Sequence, residues 1–112
     1  MSLQAHDRSV VAQIGNDVIE FGAALALRGV RMQFERNAEI FGEGEPAEYL
    51  YRVVSGAVRK MRFSSDGRRQ IMAFCLPGDI FGLELGDTHS LTAEAVGSTE
   101  VVMVRRSLIE RA

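Results

Sequence analysis

Residues 57–76, AVRKMRFSSDGRRQIMAFCL, decide the fold. Two runs of strand-forming residues flank Asp66-Gly67, the dipeptide that most readily takes the positive φ angles of a hairpin turn, so this stretch predicts a β-hairpin. Its second run places Ile71, Ala73 and Cys75 in steps of two on one face, where Cys75 is expected as a small buried hydrophobe. The pattern continues on both sides. Val30, Met32 and Phe34 alternate with Arg31, Gln33 and Glu35, the signature of a half-buried strand. Turn residues at Arg36-Asn37, Gly42 to Pro46, Ser55-Gly56, Ser64 to Gly67, Pro77 to Asp79, Gly86-Asp87 and Gly97-Ser98 then cut the chain into short apolar runs. Strands are expected at 30–35, 38–42, 49–55, 57–64, 69–76, 79–83, 89–96 and 99–105. There is no room for crossover helices between them, which favours a sandwich, jelly roll or barrel over a parallel α/β sheet.

Outside the β region the period changes. Val11, Ile14, Val18, Phe21 and Leu25 recur at spacings of three and four, predicting a helical segment between Val10 and Leu27 that Gly15 and Gly22 weaken. At the other end Ser107 stands three residues before Glu110, the spacing of a reciprocal helix cap, so a helix is expected to begin there. A helix of so few residues has little stability of its own, and the chain is expected to continue beyond Ala112. The organisation read from these signals is a leader and helical segment at 1–29, a β-barrel at 30–106, and the start of a C-terminal helix at 107–112.

At 112 residues the chain has room for one domain with a real core. Thirteen Lys and Arg against fifteen Asp and Glu give a net charge of −2, which argues against a nucleic-acid surface built from this chain alone. A single cysteine, Cys75, excludes an internal disulfide and a multi-thiolate metal site, and fits a reducing cytoplasm. Charge or glycine interrupts every apolar stretch well short of the ~18–20 residues of a membrane span, so no membrane partner is expected.

The run Phe41-Gly42-Glu43-Gly44-Glu45-Pro46-Ala47-Glu48-Tyr49-Leu50-Tyr51-Arg52-Val53-Val54-Ser55-Gly56 resembles the signature of cyclic-nucleotide-binding-type domains, and Pro77-Gly78-Asp79-Ile80-Phe81-Gly82 resembles the turn that follows it. The stretch from Val30 to Arg106 is similar to the Fnr and FixK branch of bacterial Crp/Fnr transcription regulators, above all in Gly67-Arg68-Arg69-Gln70-Ile71 and Gly82-Leu83-Glu84. The resemblance implies a mainly β fold: a double-stranded β-helix, or jelly-roll barrel, of about eight strands with flanking short helices. It also implies an effector and dimer-contact module. DNA and RNA polymerase would then be partners only through a full-length homodimeric regulator carrying a helix-turn-helix domain that this chain lacks.

The same resemblance names a candidate ligand pocket at Gly82, Leu83, Glu84, His89, Ser90 and Thr92. Cyclic-nucleotide binders of the family hold the cyclic phosphate with backbone N–H groups, a hydroxyl and an arginine, and the ribose 2′-hydroxyl with a glutamate. Here Leu83 stands at the glutamate position with Glu84 one residue on, His89 stands at the arginine position, and Ser90 falls on the hydroxyl. Loss of the permanent positive charge forfeits a contact of ~2–3 kcal/mol, roughly a hundredfold in affinity, so no cyclic AMP binding is expected.

A stand-alone small-ligand-binding barrel, cyclic-nucleotide-like, haem-binding or redox-sensing, is the alternative, with His89 or Cys75 in the haem or redox role. A lone loop histidine is more often a hydrogen-bonding residue, and no cofactor or metal is expected. A cupin-type enzyme would need several histidines on one metal, and His6 and His89 are the two present. No nucleophile elbow, zincin motif or phosphate loop occurs, so no catalytic residue is assigned and no enzyme is expected. Arg59, Lys60, Arg62, Arg68 and Arg69 bracket the hairpin, either as a solvated face or as a contact with another protein or domain.

Overall fold

A computed structural model describes Gly22 and residues 28–109. Eight strands follow one another: β1 (Val30–Phe34), β2 (Glu39–Phe41), β3 (Tyr49–Ser55), β4 (Val58–Phe63), β5 (Arg69–Cys75), β6 (Ile80–Phe81), β7 (Thr92–Ala95) and β8 (Thr99–Arg105). A 3-10 turn at Arg106–Leu108 closes the described chain. The strands form two four-stranded antiparallel sheets, ordered β1-β8-β3-β6 and β2-β7-β4-β5. This is the eight-stranded, mainly β architecture expected from the turn spacing. The expected helical segment between Val10 and Leu27 lies outside the described residues, apart from Gly22.

The core lies between the sheets. Tyr51, Val53, Phe81 and Val101 from one sheet meet Phe41, Val58, Cys75 and Ala93 from the other, all buried. Period-two patterning explains why these residues point the same way, and Cys75 sits among them as an apolar side chain. A smaller cluster of Leu50, Val104 and Ile109, with Ile80 and Leu83 packed against it, fastens the 3-10 turn to the end of the barrel.

Glycine is required where two corners close. Gly56 lies between β3 and β4 with φ +83°, and a Cβ there would stand 2.5 Å from the Ser98 carbonyl oxygen and 2.6 Å from Thr99 Oγ1. Gly82, at the end of β6 with φ +88°, would place a Cβ 2.8 Å from the Tyr51 ring. Both positions demand a left-handed backbone and a missing side chain together.

Four details depart from the sequence reading. The hairpin turn puts Gly67 at φ +84°, but Asp66 does not share the positive φ; among the described residues Asn37 is the one non-glycine that does. The loop closes instead through Gly67 N–H to Ser64 O (2.9 Å) and Ser64 N–H to Arg68 O (2.9 Å), a longer connection than a two-residue turn. Second, of Ile71, Ala73 and Cys75 only Cys75 is buried; Ile71 is exposed. The cause is that β5 is the edge strand of its sheet, paired with β4 alone, and only its last residue, Cys75, joins the core cluster. A register shift between Lys60 and Met61 further breaks the alternation.

Third, β1 is an edge strand paired with β8 alone, so Val30 and Met32 stay exposed and only Phe34 reaches the core. Fourth, the C-terminal turn begins at Arg106 with Arg105 as its cap residue and no side-chain cap, so Ser107 lies inside the turn rather than capping it. Glu110, its expected partner, is outside the described residues.

Candidate functional site

The strand expected at 89–96 is observed only as Thr92–Ala95, and the residues it loses build the site. His89 and Ser90 leave the ladder because the His89 backbone pairs with the loop between β2 and β3, while the Ser90 N–H turns to the Glu84 carboxylate. His89 N–H donates to Glu45 O (2.9 Å), Gly44 N–H donates to His89 O (2.8 Å), and Ala47 N–H donates to Asp87 O (2.8 Å). The glycine- and glutamate-rich run after Phe41 therefore holds the candidate pocket loop in place.

The His89 side chain is buried, stacked on Phe41 with ring centroids 3.5 Å apart and planes 10° from parallel. Its Nδ1 lies 3.4 Å from Glu84 Oε2, where the tautomer protonated at Nδ1 donates to the carboxylate. The same oxygen accepts from Ser90 N–H (3.1 Å) and Ser90 Oγ (3.4 Å). Burial pushes the His89 imidazole below its ordinary titration range, against the opposing pull of Glu84 and Glu45, and the nearby Arg106 adds to the lowering. Near neutral pH the ring thus offers an N–H but no charge.

Of the six candidate pocket residues, the structure brings three side chains together: Glu84, His89 and Ser90. Leu83 turns the other way, into the apolar cluster with Leu50, Val104 and Ile109. Thr92 is buried and its Oγ1 accepts from Glu43 N–H (3.0 Å), tying β7 to the loop after β2. Gly82 supplies the corner that lets β6 turn beneath Tyr51.

Two participants escape sequence reading. Phe41 stacks on a histidine 48 positions later in the chain, and Arg106 spans the site from its far side, donating to Glu84 O (2.9 Å) and Gly86 O (2.6 Å). The Arg106 backbone N–H also donates to Glu48 O (2.8 Å), so one residue joins the pocket loop, the start of β3 and the C-terminal turn. No local motif marks either role, because both depend on which strands become neighbours.

His89 also borders a cleft of about 490 Å³ lined by Phe34, Tyr49, Tyr51, Met103, Glu45 and Glu48 among others, with no lysine or arginine among the described residues of its wall. Two of the hairpin cations, Arg59 and Arg69, are engaged elsewhere. Glu94 takes hydrogen bonds from Arg59 Nε (2.9 Å) and Arg69 Nη2 (2.6 Å), and Arg59 also donates to Asn37 Oδ1 (2.7 Å). Burial alone would raise the Glu94 carboxyl; the two guanidinium groups more than offset it and hold it below its ordinary value. Among the described residues no three His, Cys, Asp or Glu converge as a metal-binding group.

Residues 31–112 match the sequence profile of the family described as the cyclic nucleotide-binding domain, and the chain belongs to that family. Its relatives are Crp/Fnr-type transcription regulators, as the likeness to the Fnr and FixK branch implied. The nitrogen fixation regulation protein FixK of Azorhizobium caulinodans is 51% identical over 85 residues, covering 76% of this chain and 34% of that protein. A CRP-like cAMP-activated global transcriptional regulator of Mycobacterium tuberculosis is 38% identical over 80 residues, covering 70% and 36%. The solved structure of FixK2 from Bradyrhizobium japonicum superimposes with a TM-score of 0.70 at 56% identity, covering 72% of this chain and 41% of that one. The chain thus spans about a third of the length of the curated relatives it matches.

Proposed function

We propose that this barrel is the effector domain of a Crp/Fnr-type transcription regulator and that it works without a cyclic nucleotide. The observation that carries the second half is the position of Glu84: its carboxylate rests on the N–H and hydroxyl of Ser90, the donors that the family resemblance assigns to a cyclic phosphate. A second negative group there would meet the first at hydrogen-bond distance, with a buried, uncharged His89 where an arginine is expected. The relatives named above are transcription regulators, which supports the first half and a role in binding rather than catalysis. No helix among the described residues is long and apolar enough to cross a membrane; action in the cytoplasm is inferred from the transcription-regulator relatives.

DNA recognition belongs, in this reading, to a longer homodimeric protein in which the chain continues past the turn at Arg106 into a dimer helix and a helix-turn-helix domain. Two recognition helices related by a dyad would read half-sites about one helical turn apart. A mobility-shift assay comparing that longer protein with the 112-residue chain tests the division of labour. The longer protein is expected to retard a near-palindromic site with no cyclic AMP added. Sequence-specific retardation by the 112-residue chain in ~200 mM salt, where non-specific phosphate contacts are largely lost, would contradict it.

A further inference from the structure

Three donors converge on one oxygen in the pocket: Ser90 N–H, Ser90 Oγ and His89 Nδ1 all face Glu84 Oε2. Such convergence is what an anion site consists of, and here the anion is part of the chain. We propose that Glu84 is a tethered anion that occupies this cradle, and that removing its charge opens the cradle to a free phosphate-class anion. The inference rests on the reading of the site given above and goes further by assigning the closed state to one side chain.

Two observations carry it. The contacts run from 3.1 to 3.4 Å, longer than the ~2.7–2.9 Å of well-seated charge-assisted hydrogen bonds, so the carboxylate is held mainly by being attached nearby. A tethered group acts at an effective concentration in the millimolar range, enough to exclude a weak free anion without a strong bond of its own.

The cradle also stands independently of its occupant. His89 is fixed by its stack on Phe41 and by backbone bonds to Gly44 and Glu45. The backbone of Glu84 is held by Arg106 from one side, while Leu83 is packed into the apolar cluster. Truncating the Glu84 side chain therefore removes the occupant and leaves the His89 ring and the His89–Ser90 peptide, with its N–H, in position.

The test uses the 112-residue chain, uniformly labelled with nitrogen-15, as wild type, Glu84→Ala and Glu84→Gln. The Ser90 amide resonance is followed during titration with inorganic phosphate and, separately, with cyclic AMP, at matched ionic strength. In wild type the Ser90 amide is expected to show no saturable shift with either probe. In Glu84→Ala it should shift saturably, with a phosphate dissociation constant at least ~tenfold below any wild-type response, the advantage of removing a millimolar internal competitor. Glu84→Gln keeps the shape and loses the charge, so it should show the same gain to a smaller extent, and it decides the matter if Glu84→Ala does not fold.

A response to phosphate and cyclic AMP alike assigns the cradle to the phosphoryl group; a response to cyclic AMP alone adds contacts to base or ribose and still supports the opened cradle. Folded variants whose Ser90 amide stays as silent as wild type would overturn the inference and leave the functional reading intact. Saturable cyclic AMP binding by wild type itself would instead overturn that reading.

Discussion

Burial of His89 beneath Phe41 has a consequence for stability as well as for ligand choice. Its folded-state pKa lies below the ordinary value of about 6.5, so the unfolded chain takes up the proton first as pH falls. The stabilisation from keeping the ring neutral is full above that value and is lost as pH drops through it toward the folded pKa. The urea midpoint is therefore expected to fall between about pH 7.5 and pH 5.5, and less steeply in His89→Gln, although that variant starts lower because the Phe41 stack is gone. Equal slopes in the two proteins would remove His89 from the account. Cys75 makes a simpler prediction. Burial first, with Asp79 adding and Lys60 opposing, raises its thiol pKa, so a thiol-specific reagent should label it slowly in the native protein and rapidly in denaturant. At this scale family spacing offered Glu84, His89 and Ser90 as pocket candidates, and the structure places their side chains together. It could not show that Leu83 packs inward or that Arg106 crosses the site, because those facts depend on contacts between distant strands.

The eight strand positions were legible because each is bounded by turn chemistry, and β3 and β8 fall at 49–55 and 99–105 as read. Errors gather where a strand lacks a neighbour. The outer hairpin and β1 have apolar alternation but sit at sheet edges, and the expected start of β7 is drawn into loop pairing at His89. The two types of glycine corner can be told apart by substitution. Gly67→Ala meets only left-handed strain, with nothing within 4 Å of the new Cβ, and should cost ~1–2 kcal/mol. Gly56→Ala adds a clash with Ser98 O and Thr99 to the same strain and should cost more than ~3 kcal/mol, or prevent folding. Chemical denaturation of both variants checks the order, and a Gly56 variant as stable as the Gly67 one would show that the β3–β4 corner yields. The Glu94 bridge is a further test of an element: Glu94→Gln leaves Arg59 and Arg69 facing a neutral amide and should lose ~1–3 kcal/mol, measured the same way.

At the scale of the whole molecule, two antiparallel sheets enclose a core, and the pocket loop lies between the run after Phe41 and the turn at Arg106. That turn is where the described chain leaves the barrel, and Arg106 binds it to the carbonyls of Glu84 and Gly86. The pocket loop and the turn at Arg106 are thus joined through one guanidinium group. In the proposed function the family's nucleotide site is retained as a scaffold while its phosphate position is filled by the chain's own carboxylate. Isothermal titration of cyclic AMP into the purified 112-residue protein near pH 7 tests this most directly. No saturable heat is expected, meaning no dissociation constant tighter than ~100 μM, or about −5.5 kcal/mol; stoichiometric binding in the micromolar range would contradict the proposed function.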